Sequence, residues 1–525
     1  MAIPIPYWPT EMMWQRDTQG QTMRLRLLAC VWVALLCSYA VRQADSKPLQ
    51  PVPVDERDAE GDANGSETKE PDDTGPLFIT KVVKEEGTEV AKKLSKVILP
   101  RDFPVFEAYS GYITVDETYD SNMFFFLVKA KPDDPNKPLT IWMEGGPGFS
   151  GLLGMFTKNG PVGITKDGVI CARLDALTEN TDVVYLDAPV GGGFSFTKNM
   201  THGFSKDLTG TSKDISEFLK QFLNVFSEYK TRDLYVGGES YGGRLAVGFA
   251  NYISENENRP SSDVATRFNL KGVVAGSPFL GPLLETIDSS EFLFSVGMLN
   301  TTSKVLFHQA FENLTKETDR RKQLFTFLQT VFQDYTKKNP TLFQRLTGYN
   351  IHSSVLHTRI PQVFVEYKKY VNNSDFKTRI HVGSDAVLRK QTLNVIFSMG
   401  MVDFFTNINS IVESVFNKFK VLIYGGQLDT IFPAINMDKF YNSLTWEGSE
   451  DFKKKRVTWY SENDPDYLNG YVRKGGNVAY VLLVGAGHDP GFDAPKPTHT
   501  LIGKFLKQQE ILKSVNTADA LLKED

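Results

Sequence analysis

Six short apolar runs, most of them running into glycine, punctuate this chain: LTIWM from Leu139, VVYLD from Val183, LYVG from Leu234, LKGVVAGS from Leu270, KVLIYGG from Lys420 and VAYVLLVG from Val478. They are apolar almost throughout rather than alternating, which marks strands covered on both faces. Longer helical stretches separate them, so the pattern predicts an α/β fold with a mostly parallel central sheet and helices on both faces. One covering helix is explicit, because Ile215, Phe218, Leu219, Phe222, Val225, Phe226 and Tyr229 recur at helical spacing. Upstream, FEAYSGYITVDE and NMFFFLVKAK read as a hairpin pair, preceded by the amphipathic stretch KVVKEEGTEVAKKLSKVIL. A chain of 525 residues, 41% of them hydrophobic, has enough apolar surface for a core of this size.

Between about Gly281 and Asn417 the strand rhythm stops. Charged, helix-like sequence such as SKVLFHQAFENLTKETDRRKQLFTFLQTVFQDY replaces it, too long for a plain loop. We expect a helical insertion over the C-terminal edge of the sheet, where open α/β sheets bind ligands, and hence a candidate lid.

The net charge of −5 excludes long-range attraction to nucleic acid or to an anionic membrane surface. The one tight basic run, Lys453 to Arg456, reads as a solvated loop. From Met23, MRLRLLACVWVALLCSYA has the basic start, short apolar core and small residues of a secretory signal. The expected organisation is a non-native extension over residues 1–22, a signal over 23–44 and an acidic linker or propeptide over 45–76. A folded domain over 77–525 follows, with no stable membrane span after signal removal. Cys30 and Cys37 leave with the signal, so Cys171 has no internal partner. Five N-x-S/T sequons, at Asn64, Asn199, Asn300, Asn313 and Asn372, join the signal in predicting a glycosylated protein of the secretory route, exported or endolysosomal.

Gly238-Glu239-Ser240-Tyr241-Gly242 matches G-x-S-x-G, with a strand before it and a helical run after it. In a nucleophile elbow the turn is so sharp that only glycine tolerates the neighbouring positions, and the serine is left exposed at the strand tip. Alone, the pentapeptide fits a structural turn equally well. A serine needs a base to take its proton and an acid to orient that base. Among seven histidines, His488 follows the last strong strand in VLLVGAGHDP, and Asp429 lies just beyond the preceding one in VLIYGGQLDTIFP. The other six (His202, His308, His352, His357, His381 and His499) suit packing or solvent-exposed roles. Three strand-end placements in the order Ser, Asp, His are those of an α/β-hydrolase fold. An oxyanion site should come from WMEGGPGFSG after LTIWM, with the Gly146 and Tyr241 backbone N–H groups as donors.

Together, YSGYITVDE, WMEGGPGFSGLLGMFTKNGP, DAPVGGGFSF, GGESYGG, IYGGQLD and GAGH resemble the serine carboxypeptidase family, nearest its vitellogenic carboxypeptidase-like branch, from about Phe106 to Phe505. The resemblance implies a hydrolase that removes single residues from peptides or proteins with a free C-terminus, needing no cofactor or metal and no nucleic acid, and it leaves a homodimer open. It implies Ser240 as nucleophile, His488 as general base and acid, Asp429 as orienting acid, and Gly146 with Tyr241 as oxyanion donors.

The departures from that pattern are chemical. The family's reader of the substrate carboxylate uses an amide residue, a glutamate and a second glutamate, where this chain has Glu144, Lys158 and Glu239. Glu144 repels a carboxylate unless protonated or paired, and Lys158 either supplies that pairing or binds substrate directly. Direct binding would extend activity toward neutral pH. Phe149 and Asp489 replace the family's usual residues after GGPG and after the catalytic histidine, and both would reshape the leaving-residue pocket. The family's disulfide framework is absent. Two other readings remain: a peptide-binding or partner-stabilising homologue, and an esterase or acyltransferase on the same scaffold.

Overall fold

A computed structural model describes residues 75–510, apart from 132–133, 257–267, 333–339, 463 and 465. The expected extension, signal, most of the acidic linker, Cys30, Cys37 and Asn64 lie outside the described residues.

The apolar runs form the middle of one large sheet. Its ten main strands are β1 (Ala108–Asp116), β2 (Ser121–Val128), β3 (Leu139–Met143), β4 (Asp182–Leu186), β5 (Leu234–Glu239), β6 (Leu270–Gly276), β7 (Lys420–Gly426), β8 (Val457–Tyr460), β9 (Leu468–Gly475) and β10 (Val478–Leu483). Their spatial order is β1-β2-β4-β3-β5-β6-β7-β10-β9-β8, and Phe196–Thr197 adds a short strand beside β2. The six strands from β4 to β10 in that order pair in parallel. The flanking pairs β1/β2, β2/β4, β10/β9 and β9/β8 are antiparallel.

Strand periodicity sorts the triple phenylalanine of β2. Phe125 joins the core on one face, whereas Phe124 and Phe126 join the core on the other. The first face is covered by α1 (Leu208–Val225) and α2 (Tyr241–Asn256). Asp207 caps α1 by accepting a hydrogen bond from Gly210 N at 2.8 Å. The helix stops at Val225, but Phe226 and Tyr229 stay on the same apolar stripe and remain buried. Phe218 and Phe222 meet the Phe125 ring at centroid distances of 5.8 and 5.5 Å. Each such side chain contributes roughly 1.5–3 kcal/mol of burial as an upper bound.

The amphipathic stretch forms two helices, Ile79–Glu86 and Thr88–Leu94, broken at Gly87 with φ 91°. The first packs on β1 and the second against α1, so both belong to the body rather than preceding it. Cys171, the one cysteine among the described residues, is buried and free. No single helix among the described residues is long and apolar enough to cross a membrane.

The expected insertion is helical from Leu283–Thr286 onward and includes α3 (Thr301–Lys316), α4 (Arg320–Val331), α5 (Gln362–Val371) and α6 (Thr392–Val402), before α7 (Asn409–Lys418) leads into β7. A buried network ties it to α2. Asp403, at the end of α6, accepts hydrogen bonds from Tyr241 Oη and from Arg244 Nε at 2.7 Å, and its carbonyl accepts from Arg244 Nη2 at 2.9 Å.

Candidate active site

Parallel pairing aligns the strand tips that carry the candidate residues. Glu239, the last residue of β5, is level with Gly276, which is level with Tyr424 in β7, and Gly426 is level with Leu483 at the end of β10. Ser240, Asp429 and His488 therefore follow one edge of the sheet.

Ser240 is held at φ 56°, a left-handed conformation that a side-chain-bearing residue adopts at a cost. Its N–H donates to Gly276 O at 2.8 Å, and its carbonyl accepts from Gly243 N at 3.1 Å. The glycines of the pentapeptide are explained by one atom: a Cβ on either Gly238 or Gly242 would lie 2.2 Å from Met143 O at the end of β3. Gly145 must be glycine for a related reason, because a Cβ there would come within 2.7 Å of Ser240 Cβ. The GGPG loop thus lies directly against the serine. Gly146 has φ 112°, and Tyr241 opens α2, whose first N–H groups are free of helical partners.

The loop is braced from behind by buried Asp187. Its Oδ1 accepts from Ser150 Oγ and Gly151 N, both at 2.7 Å, and its Oδ2 accepts from Phe194 N at 2.6 Å. Burial nonetheless dominates and pushes the Asp187 carboxyl up to about 7. Phe149 lies under the Arg389 guanidinium, 4.1 Å from the ring centroid, and beside Gly146.

His488 Nδ1 lies 2.8 Å from Asp429 Oδ2. Asp429 is itself fixed, because Oδ1 accepts from Ile431 N at 2.8 Å and Phe432 N at 3.0 Å. Burial alone would lower the His488 pKa, but the Asp429 carboxylate outweighs it and holds the imidazole above its usual value.

The three carboxylate-reader positions meet in one cluster that Asp489 joins. Lys158 Nζ is 2.8 Å from Glu144 Oε2, 2.8 Å from Glu239 Oε2 and 2.9 Å from Asp489 Oδ1. Trp142 Nε1 and Tyr424 Oη donate to Glu144 and Glu239 at 2.9 and 3.0 Å. Only Asp489 reaches solvent, with 28% of its side chain exposed. Of the two expected roles of Lys158, the geometry is that of pairing: one ammonium is shared among three acids. Burial penalises that ammonium, but the three carboxylates together hold its pKa well above the usual value. Burial also pushes Glu144 up to about 7 despite Lys158, with Glu239 adding to the rise. Lys158 moreover bridges the residue before Ser240 and the residue after His488, so the loops that carry Ser240 and His488 are neighbours.

Desolvation holds three of the remaining histidines below the usual imidazole range, buried His352 and His499 down to about 3 and half-buried His381 to about 4. His357 departs from expectation: its Nε2 lies 2.7 Å from Asp493 Oδ1, on the turn that follows His488. Nothing local in the sequence marks it, because its partner is 136 residues away. Of the sequons, Asn300 and Asn313 are exposed, while Asn199 and Asn372 are half-buried.

A parallel sheet with an elbow serine and an Asp–His pair at its C-terminal edge defines an α/β hydrolase. Residues 100–508 match the family model for serine carboxypeptidases. "Probable serine carboxypeptidase CPVL" of Homo sapiens is 30% identical over 441 residues, spanning 82% of this chain and 89% of that protein. The venom serine carboxypeptidase of Apis mellifera is 29% identical over 435 residues, with 82% and 90% covered. The vitellogenic carboxypeptidase of Aedes aegypti is 28% identical over 444 residues, with 83% and 91% covered. A prohormone-processing carboxypeptidase from Saccharomyces cerevisiae shares the fold, with a TM-score of 0.64 at 20% identity over 79% of this chain and 96% of that one. The chain belongs to the serine carboxypeptidase family.

Proposed function

We propose that this protein hydrolyses the C-terminal peptide bond of peptides through an acyl-enzyme on Ser240. The observation that carries the reading is the oriented Asp429–His488 pair on the same sheet edge as the strained elbow serine. His488 Nε2 takes the Ser240 hydroxyl proton as Oγ attacks the last peptide carbonyl, while Asp429 holds Nδ1–H and stabilises the imidazolium. The oxyanion points at the Gly146 and Tyr241 N–H groups. The imidazolium then protonates the leaving amine, the C–N bond breaks, and a water deprotonated by His488 releases the shortened peptide.

Glu144, Lys158, Glu239 and Asp489 line the side on which the leaving residue departs, with Phe149 across the GGPG loop. The cluster carries three acids to one cation, so a substrate carboxylate binds with least repulsion when Glu144 is protonated, below about pH 7. Passage through the secretory route, with glycans on Asn300 and Asn313 first, belongs to the same reading.

The excess of acid favours one second reading, an esterase or acyltransferase, since a neutral acyl donor needs no carboxylate reader. Peptides with free and amidated C-termini, assayed side by side, decide. Cleavage of the free form alone supports the carboxypeptidase, equal cleavage the esterase, and cleavage of neither the peptide-binding homologue. A serine-directed phosphonate should label Ser240.

A further inference from the structure

The sheet alone does not hold the loop that carries His488. Ala486 O accepts from Leu428 N at 2.7 Å, and a further backbone partner comes from a short segment of the insertion, Ser353–His357. Ser353 O accepts from His488 N at 3.0 Å and from Thr430 N at 3.4 Å, beside both candidate catalytic side chains. Val355 N donates to Leu428 O at 3.1 Å, and Ser354 pairs with Asp429 in an isolated antiparallel bridge. The contact is close: a Cβ on Gly487 would lie 2.2 Å from Ser354 Oγ. Five residues from within the insertion thus strap down the acid loop and the base loop together.

The far end of the strap is fastened by one ion pair. Asp493, 3% exposed at its side chain, has Oδ1 2.7 Å from His357 Nε2, and its Oδ2 accepts from Gly487 N at 2.7 Å. The same carboxylate therefore grips the strap with one oxygen and the residue preceding His488 with the other.

We propose that His357 is a positioning residue for the reaction: paired with Asp493, it keeps the Ser353–His357 strap seated so that the His488 imidazole stays aligned between Asp429 and Ser240. The proposal rests on the acyl-enzyme reading above. The charged groups facing His357 are Asp493, in contact, and Asp489, one turn earlier and itself paired with Lys158; the Phe492 ring packs beside it at 5.8 Å. The hydrogen bond to Asp493 outweighs burial and holds the His357 imidazole above its usual pKa. The sign follows. His357 is cationic and the latch strongest below that raised value, and the latch weakens as pH climbs through it. His488 must be neutral to act, so its deprotonation raises the rate, whereas loss of the His357 charge lowers it and contributes to any falling limb.

The test is the pH dependence of kcat and KM for the wild type, His357→Gln, His357→Lys and Asp493→Asn, each matched for Tm and near-ultraviolet circular dichroism. We expect His357→Gln to lower kcat about tenfold, the worth of a charge-assisted contact, with KM within about twofold, and to lose its share of the falling limb. His357→Lys should restore kcat and carry activity to higher pH, and Asp493→Asn should lose at least as much as His357→Gln. Should the glutamine variant fail to fold, the lysine variant decides alone, because an unmoved falling limb overturns the proposal. A glutamine profile superimposable on the wild type, or a KM effect with kcat unchanged, also overturns it. The rate at which a fluorophosphonate labels Ser240 is read in parallel. Labelling that follows the predicted pattern without peptide cleavage would retire the carboxypeptidase reading and keep the latch. Cleavage without the pattern would do the reverse.

Discussion

The two sides of the active site are built from different materials. Around Ser240 the geometry is a matter of backbone: glycines at 145, 238 and 242 let three segments close to distances that no Cβ permits, and the strained serine sits where they meet. Around Lys158 it is a matter of charge: four ionisable side chains from separate segments share a space that almost excludes water. The first arrangement tolerates almost no substitution in its frame. The second tolerates exchange of its members so long as the charges still compensate, and that is where this chain departs from the family pattern.

The sharpest break of the contrast is Ser240→Ala, which should lower kcat by about five to six orders of magnitude while Tm stays put, read by burst and steady-state kinetics. Lys158→Met should do the opposite. Leaving three buried carboxylates without their cation costs about 3–5 kcal/mol of stability, measured by denaturant unfolding. The double exchange Lys158→Met with Glu144→Gln, which leaves two carboxylates in place of three, should recover part of that loss. Gly242→Ala tests the backbone side: forcing a Cβ onto Met143 O should cost about 1–3 kcal/mol and lower kcat together with it. The smallest effect concerns protons. KM for peptides with a free C-terminus should rise by up to about tenfold as pH passes through 7, where Glu144 gains its charge, and Glu144→Gln should flatten that rise. The inhibition constant of an amidated peptide, competing with that substrate, should show no such dependence.

The backbone side was legible in the sequence because its signals are local. Apolar runs, most of them ending in glycine, placed β3 to β7 and β10, and the strand-end positions of Ser240, Asp429 and His488 followed. The edge strand β8 and its neighbour β9 escaped notice, since VTWY is short and LNGYVRKG mixes glycine with charge, as the polar margin of a sheet does. The charged side was legible only as a list of unusual residues. That one ammonium serves Glu144, Glu239 and Asp489 depends on tertiary distances, which no spacing encodes. His357 was hidden for the same reason, its partner lying in a distant segment.

The anchoring of the insertion has a further consequence. Arg244 is fully buried and Asp403 nearly so, and they join α2 to the end of α6 by side-chain and backbone hydrogen bonds under the Phe279 ring. A cut in the insertion between α3 and α6 would therefore break the chain without breaking this joint. The two fragments would remain docked across that buried seam.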